Sequence, residues 1–128
     1  MIANIVPQFF SADLKKTLAH YDGMLGFETQ FEWGEPTFYA GAIRDGRSIF
    51  FRHTDAPLPV PPGKYENELL DVYITVENIR ALYDEYRDRG VAFHRDIDDR
   101  PWGFTEFVVK DIDGRLLCFG QLTDDIPG

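Results

Sequence analysis

A helical pattern recurs in this chain after 65 residues, from Asp13 to Asn78 and again from Tyr21 to Tyr86. A duplicated unit of that size restricts the fold more than any single motif. In the first copy Leu14, Leu18, Tyr21 and Leu25 fall at i, i+4, i+7 and i+11. In the second, Ile79, Leu82, Tyr83 and Tyr86 fall at i, i+3, i+4 and i+7. Each set makes one apolar stripe on an amphipathic helix. Asp13 and Asn78 stand where an N-terminal cap or first-turn residue belongs, and Gly26 and Gly90 where the helices stop.

The flanking strands repeat as well. Residues 5–10 precede the first helix and 70–76 the second. Each helix is followed by three β-rich runs: 27–33, 37–43 and 48–53 in the first half, 91–95, 104–110 and 116–121 in the second. Asp45-Gly46 and Asp113-Gly114 precede the last strand of each half, as hairpin turns needing positive φ would. Pro57, Pro59, Pro61 and Pro62 mark a stiff extended linker between the halves. Each half thus reads strand, helix, strand, strand, strand, and one such unit leaves a sheet face uncovered. The expected fold is α+β, with two tandem βαβββ modules whose shared, curved sheet encloses a cavity, helices on the outside. Module 1 covers about 4–54, the linker 55–67 and module 2 about 68–121, within one domain.

Composition narrows the function classes. The chain is 44% apolar and 15% aromatic, which excludes disorder and suits strands. A single cysteine excludes an internal disulfide framework and an all-cysteine zinc site. No apolar run approaches the ~20 residues of a membrane span, and no secretory leader pattern opens the sequence, so a soluble cytoplasmic protein is expected. The net charge of −9 repels nucleic acid and favours cationic partners, although acidity also simply maintains solubility.

Val6-Pro7 leading into Ser11-Ala12-Asp13-Leu14, then Tyr21 and Met24-Leu25-Gly26-Phe27, resembles the opening of the vicinal oxygen chelate superfamily, which groups glyoxalases, bleomycin-resistance proteins and dioxygenases. Arg100-Pro101-Trp102-Gly103-Phe104-Thr105-Glu106-Phe107 followed by Lys110-Asp111-Ile112-Asp113-Gly114 is similar to the closing segment of its bleomycin-resistance-like branch. Ile112 stands where the family usually has proline. The resemblance covers residues 4 to 121 and implies the two-module fold, and it implies a homodimer. It leaves function open, because one superfamily hosts isomerases, dioxygenases, thiol transferases and binding proteins.

Metal-using members carry four ligands, two per module, and the resemblance maps them onto Val6, Phe50, Asp71 and Cys118. Valine and phenylalanine have no donor atom, and one carboxylate with one thiolate makes a mismatched remainder, so no metal and no cofactor is expected. Strand alternation places Asp71, Tyr73 and Thr75 opposite the helix-facing Leu70, Val72, Ile74 and Val76. Asp71 then either binds a cationic ligand group, or acts as a base, or pairs with Arg52 or another arginine. Cys118 is a buried inert thiol or a nucleophile. His20 and His53 read as surface and rim residues, and His94 faces either cavity or solvent.

The aromatic residues Trp33, Phe38, Phe50, Tyr73, Trp102 and Phe104 come from several strands or strand edges. With Asp71 they form the expected ligand site, suited to a planar, partly cationic organic molecule, although such rings also serve as core. The expected function is metal-independent capture of a small aromatic or cationic antibiotic-like compound. Two alternatives stay open. One is a metal-dependent lyase, isomerase or dioxygenase using His53, Asp71 and Gln121. The other is a partner domain with an exposed aromatic patch.

Overall fold

The computed structural model describes residues 1–56 and 58–128; of the expected linker, Pro57 lies outside the described residues. Two compact units emerge, Met1–Val60 and Pro61–Gly128. The first contains β1 (Gln8–Ser11), α1 (Leu14–Gly23), β2 (Glu28–Trp33), β3 (Tyr39–Arg44) and β4 (Arg47–His53). The second contains β5 (Val72–Thr75), α2 (Ile79–Arg89), β6 (Phe93–Asp99), β7 (Phe104–Lys110) and β8 (Leu116–Leu122). The chain is therefore α+β, two tandem βαβββ modules. Strand order is β1-β4-β3-β2 in one sheet and β5-β8-β7-β6 in the other. Among the described residues every strand pairing lies within one module, so where the sequence suggested a shared sheet there are two open sheets of four.

Topology follows from the local signals. In each module the first and last strands are parallel, and the remaining pairs are antiparallel. A helix crossing between a strand and its parallel neighbour is the ordinary way to make that connection. Asp13 and Asn78 cap their helices, accepting from the backbone N–H of Lys16 and Ala81. Gly90 ends α2 in the left-handed conformation, φ 78°. The first helix stops earlier than Gly26: it ends at Gly23 and is capped by Met24 in a right-handed conformation. The two hairpins also differ. Asp45 and Gly46 both have positive φ and join Arg44 directly to Arg47. In the second module the loop is longer, 111–115, with only Gly114 at positive φ. There the Asp111 carboxylate accepts the backbone N–H of Asp113 and of Arg115, which organises the extra residues.

Each helix covers one face of its own sheet. Tyr21, fully buried, meets Phe51 of β4 edge-on at 4.9 Å. Tyr86, also fully buried, meets Phe119 of β8 at 5.5 Å. The duplicated tyrosines thus perform one task twice, filling the seam between helix and sheet. We expect Tyr86→Ala to destabilise the protein by about 3–5 kcal/mol, as for other large core truncations. Urea unfolding followed by far-UV circular dichroism measures this, and a loss below about 1 kcal/mol would contradict the packing described.

Candidate ligand-binding faces

Strand alternation decides which side chains remain on the faces turned away from the helices. In the second module Phe107 and Val109 of β7 and Phe119 of β8 go to the α2 side, where Tyr86 meets both Phe107 and Phe119. Phe104, Glu106 and Val108 of β7 therefore share the opposite face with Cys118 and Gly120 of β8 and Tyr73 of β5. One part of that face is apolar: Val108, Leu116 and Cys118 are buried, with Tyr65 packed against them. The Tyr65 hydroxyl donates to the Gly114 carbonyl (2.9 Å), and the Lys110 ammonium lies 4.1 Å from the Tyr65 ring centre. Next to it Lys64 donates to the Asp71 carboxylate (2.6 Å) and to the Leu69 carbonyl (3.2 Å). Residues 63–71 are thus a strap across the second sheet, built from the end of the expected linker, 63–67, and the first residues of the expected second module, 68–71, ahead of β5.

The other part of the face is polar and centred on Glu106, only 2% exposed. Its Oε2 accepts from the Tyr73 hydroxyl (2.7 Å) and from the Trp102 indole N–H (3.0 Å). Its Oε1 accepts from Arg95 (2.9 Å). Arg95 also binds both carboxylate oxygens of Glu68 and one of Asp98. Arg100 donates to Asp98 (2.9 Å), and its guanidinium lies 5.0 Å over the Trp102 ring. Glu68 adopts φ 52°, a conformation costly for a non-glycine residue, and its two-point bond to Arg95 holds it there.

Burial and hydrogen bonding together set the ionisation of this network. Burial opposes ionisation of Glu106, but the bonds from Tyr73, Trp102 and Arg95 together outweigh it and hold the carboxyl below its usual range. Burial and the Glu106 bond push the Tyr73 hydroxyl well above its usual range. Burial, followed by the charge of Glu106, pushes the Cys118 thiol up to about 12. Near neutral pH these groups keep their protons or lack them throughout. None is poised as a general base or a nucleophile.

On the first module the corresponding face carries rings. Phe31 stacks on Tyr39 at 5.9 Å and 12°, and Phe50 stands edge-on to both. Gly41 permits this, because a Cβ there would meet the Phe31 ring at 2.5 Å. Arg52 lies over Phe38 (5.3 Å) and Phe10 (6.0 Å), and Trp33 meets Phe38 edge-on. Trp33 is 65% exposed.

The expected site residues therefore fall into separate groups. Trp33 and Phe38 touch each other, and Phe50 joins Phe31 and Tyr39. Tyr73 and Phe104 meet edge-on at 6.0 Å, and Tyr73 and Trp102 share Glu106. Asp71 is held by Lys64 and by the Leu116 N–H (2.8 Å); of the roles left open by the sequence it takes an ion pair, with a lysine in place of an arginine. Arg52 packs instead on rings. Glu106, Arg95 and Glu68 were not singled out from the sequence. A glutamate at an inward position of the run Phe104 to Val109 was the available signal for the first of them.

A metal does not fit the family's ligand positions. Val6 and Phe50 offer no donor atom. Asp71 already carries an ammonium, and the Cys118 thiol resists the deprotonation that metal binding requires. Among the described residues no three His, Cys, Asp or Glu side chains group as a metal site. Gln121 is committed elsewhere: it accepts from the Ile79 N–H and donates to the Glu77 carbonyl at the start of α2. His53 pairs with Asp55.

The model of the Glyoxalase/Bleomycin resistance protein/Dioxygenase superfamily matches residues 2–119. The chain belongs to this superfamily. No curated protein matches the sequence significantly. Solved structures do, at low identity. The bleomycin resistance determinant encoded on the transposon Tn5 is 19% identical, with 94% of this chain and 98% of that one covered and a TM-score of 0.74. The bleomycin-binding protein of Streptomyces verticillus, solved with copper(II)-bleomycin, is 20% identical, with 93% and 95% covered and a TM-score of 0.69. A glyoxalase-related enzyme of Clostridium phytofermentans is 18% identical, with 95% and 96% covered and a TM-score of 0.76. Binding proteins and an enzyme-related protein thus share the architecture. The likeness is one of fold, and the residues must decide between the superfamily's functions.

Two measurements check the electrostatics. Cys118 is expected to stay silent towards Ellman's reagent at pH 8 in the native protein and to titrate fully once unfolded; rapid native labelling would contradict its burial. Glu106 has a lowered folded pKa, so its stabilising contribution is present above its ordinary value of 4.5 and disappears as pH falls through the lower folded value. Stability should therefore fall more steeply in the native sequence than in Glu106→Gln as pH is lowered below 4.5. Parallel slopes in urea midpoints would show that Glu106 is not held as described.

Proposed function

We propose that this superfamily member is a metal-independent binding protein that captures a small, flat, partly aromatic molecule. The observation that carries the reading is the set of ring-bearing faces left uncovered by the helices. Trp102 and Tyr73 are 59% and 42% exposed, and Trp33 and Phe38 65% and 37%. Large rings at such positions are costly to leave in water and are suited to stacking on a planar ligand. Two separate ring-bearing faces are candidates for the contact: Trp33, Phe38 and Phe50 on the first module, and Tyr73, Trp102 and Phe104 on the second.

A positive group on the ligand is favoured by the net charge of −9 and by the Glu106 cluster. That cluster joins three carboxylates, Glu68, Asp98 and Glu106, to two guanidiniums, Arg95 and Arg100. Asp71 contributes less, because Lys64 shares its charge. Antibiotic-like cations are the ligand class that this combination suits, and neighbours named for binding or resisting bleomycin are consistent with it. A homodimer in the cytoplasm is part of the proposal. No helix among the described residues is long and apolar enough to cross a membrane.

Calorimetric titration with metal-free bleomycin and with proflavine, a planar aromatic cation, tests the reading. Saturable binding is expected, unchanged by a chelator and by added zinc or manganese. Binding or turnover that requires added metal would overturn it in favour of the metal-dependent alternative.

A further inference from the structure

Trp102 and Tyr73 are well exposed, yet both side chains are fixed. Each gives its only hydrogen-bond donor to the same atom, Glu106 Oε2, at 3.0 and 2.7 Å. Exposed indole and phenol rings ordinarily sample several rotamers, and that freedom is lost when a ligand stacks on them. A shared buried acceptor removes the freedom beforehand. The backbone is adapted to the same end: a Cβ on Gly120 would lie 2.2 Å from the Tyr73 hydroxyl, so only glycine lets the ring reach Glu106. Arg95 fixes the carboxylate from its other oxygen at 2.9 Å. Arg100 lies over the Trp102 ring at 5.0 Å, and the residue is still 59% exposed.

We propose that Glu106 is a positioning residue, which orders Tyr73 and Trp102 in advance as a two-ring platform for a flat aromatic group. The inference rests on the small-molecule reading above and specifies where and how the second module takes part. Because the Glu106 charge is already met by Arg95, the platform recognises flatness first, and a cation only through the cluster's excess of carboxylates. Neutral and cationic rings of one shape should both bind, the cation more tightly.

The test uses the full chain and two substitutions. In Glu106→Gln the amide oxygen must turn to Arg95, which can only donate, and its NH₂ then faces the two ring donors. Both rings lose their acceptor with little change of shape. Tyr73→Phe keeps the ring and removes its tether, and its side chain lies outside the core should the first variant fold poorly. In ¹⁵N-resolved spectra the Trp102 indole N–H is expected to be protected from exchange in the native sequence and to lose protection in Glu106→Gln. The Trp33 indole serves as the internal reference. Affinities for proflavine and for neutral acridine should each weaken roughly tenfold in Glu106→Gln and severalfold in Tyr73→Phe. Unchanged affinities in both variants, or an indole N–H unprotected in the native sequence, would overturn the platform alone. A native protein that binds neither dye overturns the small-molecule reading and the platform's role with it.

Discussion

One helix can bury only one face of a four-stranded sheet, and this chain meets that limit twice. Tyr21 and Tyr86 seal the helix side in each module, against Phe51 and Phe119. The opposite faces must then be managed by other means, and the modules differ in how. The second folds the strap of residues 63–71 over part of its sheet, with Tyr65 on Val108, Leu116 and Cys118. Its remainder is filled by the Glu106 network. The first carries Phe31, Tyr39 and Phe50 as mutually packed, half-buried rings, with Arg52 over Phe10 and Phe38. A duplicated architecture thus presents two chemically different surfaces. The likeness between the modules lies in the helix–sheet seams, where Tyr21 and Tyr86 are fully buried.

The Glu106 cluster is an expensive way to fill a sheet face. Removing a carboxylate and a guanidinium from water costs several kcal/mol per ion, and packed hydrocarbon would serve stability as well. What hydrocarbon would not provide is a fixed acceptor for exposed rings. Nor would it hold Glu68 at φ 52°, where the strap turns toward β5. The network therefore links three features: the path of the strap, the orientation of Trp102 and Tyr73, and a local excess of negative charge. A mechanism requiring proton transfer would instead need one of these groups poised near neutrality. Glu106 is held low and Tyr73 high, away from that condition.

Features encoded by neighbouring residues were legible in the sequence. The two amphipathic stripes, the Asp13 and Asn78 caps and the Asp45-Gly46 turn act over a few residues, and each specifies its own geometry. The Asp113-Gly114 turn was legible only in part, since a side chain outside the dipeptide, Asp111, sets the loop. Alternation along β5 placed Tyr73 correctly opposite Val72 and Ile74. The partner of Asp71 was not legible: Lys64 lies in a proline-flanked stretch that has no periodicity, and nothing local signals that it folds back. Glu106 and Arg95 were hidden for a related reason. They are eleven residues apart, on two strands whose pairing shifts register between Arg95 and Asp98, and the shift decides which arginine meets the glutamate.

The register and the strap also explain why the family's metal chemistry has no foothold in the second module. At Asp71 a lysine ammonium occupies the carboxylate, and Cys118, its thiol pushed up to about 12, lies in the buried cluster that Tyr65 packs against. A metal would have to displace the ammonium, strip the proton and lift the strap, while Val6 and Phe50 supplied nothing in return. The Lys64–Asp71 bond also fastens the strap, because it ties residue 64 to the residue that enters β5. With Tyr65 against the Val108, Leu116 and Cys118 cluster, that end of the face is covered, while Tyr73 and Trp102 stay exposed beside Glu106.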